Sequence, residues 1–577
     1  MITFLDLARY FERLEQTTKR LEMFTILAEL FAKASPGEIA PLIYLTQGEL
    51  LPSFRGLQIG MSEKLLIRAL ALGAECEPAE VAATFKRTGD LGKSAEALLR
   101  GRGESLSVNA VYDELVRTAG ISGEGSVEEK INALAGLLRR VSPPEARYIA
   151  RVVMGKLRLG AGDATILEAL SVAALGDRTG KAALERAYNL CSDLGVVGEQ
   201  LLAKGLKGVE AIHARLGYPI RPALCERLPT TEEIIEKIGR CSVELKYDGL
   251  RLQIHRDGET VEMFSRNLER MSPMFPEITD AVRRAVRSDR VIIEGEALAV
   301  DEASGELQPF QVTVQRKRKH DIAAVAREIP LRFFAFDLLY LNGEDYTPKP
   351  YAERRATLQS VLKPDPVVEL SRSIETESPE ELQRFFNDAV ANGQEGIVAK
   401  RLDGPYTAGA RNFNWIKLKR SYKGELTDTV DVVIVGYSAG RGQRAKFGVG
   451  TVLAAVYDNR SDTFKTVTKI GSGFSEEELR ELKTKLDEIK LDHQPARVES
   501  MLEPDVWVEP RYVLTVMADE ITRSPMHTCG KEGDEPGYAM RFPRTVGFIR
   551  TDKRAEDATT VAEVIELFDQ QKRVKVE

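Results

Sequence analysis

The 577-residue chain has few of the residues that build covalent or metal-bound frameworks: five cysteines and five histidines. Cys76, Cys191, Cys225, Cys241 and Cys529 are scattered, and no two form a C-x-x-C pair. That spacing excludes a four-cysteine zinc module, argues against a disulfide framework, and fits a reducing cytoplasm. The histidines are equally dispersed, which argues against a histidine-built metal site. No apolar run approaches membrane-spanning length. The opening Met1-Ile2-Thr3-Phe4-Leu5-Asp6 meets charge too early for a signal-peptide core, so no membrane partner is expected. Internal repeats and low-complexity stretches are absent. An excess of positive charge is also missing, the formal net charge being -7. Nucleic acid is not thereby excluded, because its binding depends on local basic surfaces.

With 43% hydrophobic and 29% charged residues, the composition is that of a globular protein with room for three or four domains. Basic clusters occur at Thr17-Thr18-Lys19-Arg20, Arg100-Gly101-Arg102, Arg139-Arg140 and Arg316-Lys317-Arg318-Lys319-His320; each alone is ordinary solvated surface. From Phe4 to about residue 215 the apolar spacing is helical, with Phe4, Leu7, Ala8, Phe11 and Leu14 on one face and Leu65-Leu66-Ile67, Leu70 and Leu72 on another. Ser35-Pro36-Gly37 and Ser142-Pro143-Pro144 separate helices. Beyond Gly217-Tyr218-Pro219, strand-like runs appear at 243–256, 261–266, 291–300, 331–341 and 396–401, with a helix over 379–391. Near Gly424 a third texture begins, with strands at 429–437, 450–457 and 463–470. Ser475 then caps a helix with Glu478 as capping-box partner, and strands return at 506–508 and 512–521. Five strands with a helix after the third is the order of an OB-fold. The expected fold is multi-domain α+β: an all-helical domain 1–217, an α+β domain 218–422 and an OB-fold barrel 423–577.

Two phosphate-loop look-alikes fail in context. Gly92-Lys93-Ser94 lacks the first glycine and the preceding strand of a P-loop. Gly440-Arg441-Gly442 is followed by another strand where a dinucleotide fingerprint needs a helix. The informative segment is Lys246-Tyr247-Asp248-Gly249-Leu250-Arg251, at a junction between two strands. A lysine there can be desolvated beside other cations, which lowers its pKa and frees the amine for covalent chemistry. Gly249 permits close backbone approach. Downstream come Ser265-Arg266-Asn267, Glu294-Gly295-Glu296, Phe333-Phe334-Ala335-Phe336-Asp337-Leu338, Glu395-Gly396-Ile397-Val398-Ala399-Lys400 and Trp415-Ile416-Lys417-Leu418-Lys419. Strand alternation puts Lys417 and Lys419 on one side.

The order K-x-D-G-x-R, S-R-N, E-G-E, F-D-x-L, E-G-x-V-x-K, W-x-K-x-K resembles the covalent nucleotidyltransferases, and end to end the chain resembles the ATP-dependent DNA ligases. Thr17 to Met23, Lys156-Leu157-Arg158-Leu159-Gly160 and Phe542-Pro543-Arg544 look like the archaeal replicative type. The resemblance implies that Lys246 attacks the α-phosphate of ATP and carries AMP, which passes to the 5′-phosphate of a nick before the 3′-hydroxyl seals the strand. It implies Glu244 on the adenine amino group, Phe336 on the ring, Arg251 and Arg266 on the ribose and phosphate side, and Glu296 on the ribose. Lys400, Lys417 and Lys419 would contact the α-phosphate, and Glu395, with Glu296, would serve Mg2+. Arg550-Thr551-Asp552-Lys553 resembles the last family motif, with Arg550 and Lys553 orienting pyrophosphate. The stretch Arg544 to Ile549 before it is longer than the family's compact form.

Nicked double-stranded DNA is the implied partner of a monomer, gripped by the helical domain. There, Gly160-Ala161-Gly162-Asp163 opens a helix whose amides suit a phosphate. Domain gating is implied as well, about a polar linker near residues 419–425. A sliding clamp is a candidate partner, although Arg100 to Leu106 lacks the usual glutamine-and-aromatic motif. The alternative is an RNA ligase, an mRNA capping enzyme or another covalent nucleotidyltransferase, against which the large helical domain argues.

Overall fold

Start signals and apolar spacing agree in several helices of the first third of the chain. Thr3 caps helix Phe4–Glu15: its hydroxyl accepts from the Asp6 amide at 3.1 Å and donates to the Asp6 carboxylate at 2.6 Å. Phe4, Leu7, Ala8, Phe11 and Leu14 are then all buried, each large side chain contributing about 1.5–3 kcal/mol. Helices Pro36–Gln47 and Pro143–Val153 repeat the device, with a capping-box serine and proline as first helical residue. The computed structural model describes every residue except 18, 102, 158, 302–305, 309, 318–320, 393, 420–428, 440–446 and 575–577. Helices from Phe4–Glu15 to Leu194–Glu210 share one core. Leu66 and Leu70 join it, whereas Leu72 is 39% exposed because the helical period carries it off that face. Gly92-Lys93-Ser94 lies in the first turn of helix Leu91–Leu98, capped by the Asp90 carboxylate.

The central segment contains β1 (Leu224–Arg227), β2 (Cys241–Lys246), β3 (Leu250–Asp257), β4 (Thr260–Ser265), β5 (Arg290–Ala299), β6 (Leu331–Leu341), β7 (Glu344–Asp345), β8 (Val368–Leu370), β9 (Ser373–Thr376), β10 (Gly396–Arg401) and β11 (Arg411–Lys419). They form two sheets, β1-β11-β10-β2-β9 and β4-β3-β5-β6-β7 with β8 beside β6. Each sheet has its own apolar core. The chain leaves the first sheet at Lys246 and enters the second at Leu250, so the Tyr247-Asp248-Gly249 turn spans the cleft between them.

The third segment forms an OB-type barrel from β12 (Val430–Ser438), β13 (Thr451–Asp458), β14 (Thr463–Ile470), β15 (Lys490–Leu491), β16 (Val498–Glu499), β17 (Val506–Val508), β18 (Val513–Met517) and β21 (Arg544–Thr545). Helix Glu476–Glu488 follows β14, with Ser475 and Glu478 as its capping box. The strand expected over 512–521 is two strands. β18 pairs with β12, whereas β19 (Glu520–Ser524) leaves the barrel to pair with β20 (Gly537–Arg541). At the break the Asp519 amide donates to the Arg541 carbonyl at 3.0 Å. A last helix, Val561–Val574, packs back on the hairpin.

The helical domain touches the barrel. Arg20 donates to the Ser461 carbonyl at 2.8 Å and to Glu168 at 3.2 Å. The helix start at Gly162–Asp163 faces the barrel too: a Cβ on Gly162 would lie 2.8 Å from the Arg497 guanidinium. Asp163 accepts from Gln47, Tyr188 and Arg221 and lies 3.9 Å from Arg554. Of the basic clusters, Arg140 pairs with Glu104 and Glu114. Arg316 is buried against Glu277, and Lys317 reaches Glu269 and the Thr551 carbonyl. Arg318 to His320, Thr18, Arg102, Arg158, Gly440 to Gly442 and the expected linker beyond Lys419 lie outside the described residues. Among those described, no helix is long and apolar enough to cross a membrane.

Candidate active site

Two glycines set the geometry around Lys246. A Cβ on Gly249 would meet the Ala297 carbonyl at 2.4 Å, so the turn after Lys246 lies hard against β5; the close approach is to this strand. Gly396, at φ +147°, stands opposite Lys246 in the β2–β10 register, and a Cβ there would strike the Leu418 carbonyl at 2.1 Å. This tight crossing delivers Glu395 to Lys246, and its carboxylate bridges the Lys246 and Lys419 ammonium groups. Burial lowers the pKa of Lys246, but contact with Glu395, with Glu296 nearby, outweighs it and holds the amine above the ordinary lysine value. The sequence suggested a lysine surrounded by cations; here an anion dominates. Burial would raise the Glu395 carboxyl, yet Lys246 and Lys419 hold it well below the usual range.

The flanking strands supply the rest of a cavity of about 610 Å³. Glu296, across from Arg251 on β5, has its carboxyl pushed up to about 8 by burial, partly offset by Lys246 and Arg251. Arg251 donates to Glu294 at 2.9 Å and to the Ala223 carbonyl at 2.8 Å. Phe336 meets Trp415 edge-on at 5.9 Å. Behind it Lys400, only 1% exposed, donates to Glu244 at 3.0 Å and to the Phe336 carbonyl at 3.1 Å. Burial lowers the pKa of Lys400 against the pull of Glu244. The Tyr351 hydroxyl donates to the other Glu244 oxygen. Lys417 reaches Glu563 at 2.9 Å. Arg266 lies 3.9 Å from Asp557, and its Nε is buried with no hydrogen-bond partner among the described residues.

The barrel closes the cavity. Arg550 binds Asp552 and donates to Thr515 at 3.2 Å, and Lys553 binds Asp431. Burial would raise the Asp431 carboxyl, but Lys553 and Arg550 pull it down to about 2. All the sequence-proposed residues line this one cavity: Glu244, Lys246, Arg251, Arg266, Glu296, Phe336, Glu395, Lys400, Lys417, Lys419, Arg550 and Lys553. Arg544, paired instead with Asp519 at 3.0 Å, is half exposed and does not line it.

Sequence reasoning missed Arg411, Asp431 and Glu563, which also line the cavity. Arg411 pairs with Glu563 and shares the odd-numbered phase of Lys417 and Lys419, so extending that alternation back along β11 would have found it. Glu563 was visible only as the last residue of a capping box with Thr560. Among the described residues no three His, Cys, Asp or Glu side chains form a ready metal cage. Glu296 and Glu395 in a cationic cavity fit a Mg2+ that takes most of its ligands from phosphate and water.

A lysine at the junction of two sheets, paired with a carboxylate in a cavity lined by further cations and roofed by an OB-type barrel, defines a covalent nucleotidyltransferase. The description "ATP dependent DNA ligase domain" matches residues 222–419, "DNA ligase N terminus" residues 3–171, and "ATP dependent DNA ligase C terminal region" residues 445–553. The chain is 50% identical over 572 residues to the "Probable DNA ligase" of Dictyoglomus turgidum, covering 99% of this chain and 98% of that protein. To the DNA ligase of Sulfurisphaera tokodaii it is 44% identical over 590 residues, again 99% and 98%. The chain belongs to the ATP-dependent DNA ligases, of the archaeal type, with ATP and Mg2+ as cofactors. Among solved structures, a mycobacterial DNA ligase D complexed with ATP and MES aligns over 59% of this chain and 97% of that one. At 24% identity and a TM-score of 0.34 it is too distant to inform the site.

Proposed function

We propose that Lys246 is the nucleophile with which this ligase seals nicks in duplex DNA. Lys246 first gives its ammonium proton to solvent; the free amine then bonds to the α-phosphorus of ATP as the bond to pyrophosphate breaks, pyrophosphate leaves, and a second nitrogen proton passes to solvent. AMP then passes to the 5′-phosphate of the nick, and the 3′-hydroxyl displaces it. Positioning and charge neutralisation do most of the work in such displacements. Glu244 takes the adenine amino group and Phe336 the ring face. Arg251 and Arg266 hold the ribose and phosphate side, Glu296 the ribose, and Lys400, Lys417 and Lys419 the α-phosphate, with Arg411 beside them. Arg550 and Lys553 orient pyrophosphate. Glu296 and Glu395 would hold Mg2+, which supplies charge neutralisation at the phosphates.

The observation that carries this reading is the convergence of Lys246, Glu395 and Lys419 with Arg550 and Lys553 of the barrel on one cavity. That convergence also favours gating: with the barrel closed, the start of the Asp163 helix is covered by Arg497, so duplex DNA needs the barrel to move. The domains are 1–217, 218–422 and 423–577, and the enzyme works as a cytoplasmic monomer on nicked DNA. A sliding clamp, if engaged, is held by some other surface than residues 100–106.

The test strips the enzyme with pyrophosphate and incubates it with α-labelled ATP and Mg2+, beside Lys246→Ala. Nicked DNA and a matched nicked RNA duplex are then added. A protein–AMP adduct lost in Lys246→Ala, with DNA sealed in preference to RNA, is expected. An adduct that survives the substitution would refute the nucleophile, and sealing of RNA alone would refute the substrate.

A further inference from the structure

One hydroxyl outside the residues assigned above holds both partners of Arg251. Tyr406 lies in the loop between β10 and β11 and is 4% exposed. Its hydroxyl donates to Glu294 Oε2 at 2.8 Å and accepts from the Ala223 amide at 2.9 Å. Those are the residues that hold Arg251: Nε donates to Glu294 Oε1 at 2.9 Å and one terminal nitrogen to the Ala223 carbonyl at 2.8 Å. The other terminal nitrogen lies 3.4 Å from the Tyr406 oxygen itself. The network is buried and drawn from four separate segments, with Glu294 1% exposed.

We propose that Tyr406 is the positioning residue that fixes Arg251 for nucleotide binding, through a clamp made with Glu294 and the Ala223 peptide. The ring is suited to this: it stands edge-on to Trp415 at 5.6 Å, and the Arg251 guanidinium lies 5.4 Å from Trp415 and 5.5 Å from Phe336. The Tyr406 amide also donates to the Thr347 carbonyl at 2.8 Å, which anchors the loop. Burial, then the Glu294 carboxylate, hold the phenol well above its ordinary pKa, so it remains a donor wherever the enzyme works. Phenylalanine would keep the packing and remove the donor to a buried carboxylate, leaving Glu294 and the Ala223 amide each one partner short. A guanidinium held on three sides then gains freedom to leave the ligand-facing orientation.

This inference rests on the reading of Arg251 as a nucleotide contact, and the test separates the two. The KM for ATP and the kcat of enzyme adenylation are measured for wild type, Tyr406→Phe, Arg251→Ala and the double variant, with thermal unfolding of each. Tyr406→Phe is expected to raise the KM for ATP about tenfold, with kcat changed less than threefold. Arg251→Ala raises it further, and adding Tyr406→Phe to it changes nothing more, because the positioned group is gone. Glu294→Gln, which keeps shape and an acceptor, is the second variant and reproduces the rise in KM. Full multiplication of the two effects in the double variant would mean general support of the fold and would overturn the inference alone. So would an unchanged KM in both Tyr406→Phe and Glu294→Gln. An unchanged KM in Arg251→Ala overturns both readings.

Discussion

Removing the Glu395 charge should make Lys246 more reactive as an amine while making the enzyme worse at its reaction. In the resting site the Glu395 carboxylate contacts both Lys246 and Lys419 and keeps Lys246 protonated against the effect of burial. Two unit charges about 4 Å apart at an effective dielectric constant of 20 attract by about 4 kcal/mol. That is about three pH units in the titration of the lysine. In Glu395→Gln, burial and the Lys419 cation are opposed chiefly by Glu296, and the free-amine fraction at pH 8 rises accordingly. The assay uses pyrophosphate-stripped protein and an uncharged amine-reactive ester, with labelling of Lys246 resolved from Lys419 by peptide mass spectrometry. At pH 8 Lys246 should label about 30-fold faster in the variant, which allows for the lower intrinsic nucleophilicity of a less basic amine. Adenylation by ATP and Mg2+ should fall by about 100-fold or more, since the carboxylate proposed to hold the metal is gone. Equal labelling of the two proteins would refute the electrostatic argument. Undiminished adenylation would refute the role of Glu395.

Lys553→Ala should separate the chemical steps: adenylation by ATP falls about 100-fold, as for loss of one transition-state donor. Sealing of a nick already carrying AMP on its 5′-phosphate, read by gel, should stay within about threefold; equal loss in both assays would contradict a role confined to pyrophosphate. His255 supplies a pH prediction for stability. It is 3% exposed, and burial pushes its imidazole down to about 3. A histidine depressed in the folded state stabilises fully above its unfolded pKa near 6.5, and that stabilisation is lost as pH falls toward 3. Wild type should therefore lose about 1.4 kcal/mol per pH unit below 6.5 that His255→Gln does not lose. Denaturant titrations from pH 7 to 5 with parallel slopes for the two proteins would count against it.

Much of the fold was legible locally, and the reasons are visible in particular elements. The 463–470 strand and the 379–391 helix have the limits expected from composition and punctuation, and Ser475 with Glu478 announced its helix. Lys246 was legible because a strand, a turn and a second strand are all local signals. The break at Ala518-Asp519 was not, because both halves read as strand and only the separate partners, β12 and β20, divide them. Electrostatic pairing was the least legible property. Lys417 and Glu563 lie 146 positions apart and Lys246 and Glu395 lie 149 apart. No spacing rule relates such residues, so the sign of the influence on Lys246 was misjudged.

Those pairs divide into two kinds, and the division bears on how one cavity serves successive steps. Glu244 and Glu294 are rooted in central strands, 2% and 1% exposed, and they hold Lys400 and Arg251. Breaking such a pair strands a buried charge, at a cost of about 3–5 kcal/mol, so these two cations are held fixed in the cavity wall. The carboxylates on the remaining cations sit elsewhere. Asp431, Asp552, Asp557 and Glu563 belong to the barrel or its final helix, and Glu395 stands at the mouth of the sheet. They are placed where domain movement or an arriving phosphate can take over their cations without dismantling a strand. A triphosphate is itself a set of anions, and exchanging carboxylate for phosphate leaves each cation paired throughout. On the proposed reading, the two-sheet cleft fixes where the nucleotide lies, while the barrel, which both closes the cavity and covers the Asp163 helix start, sets when phosphate and DNA can enter.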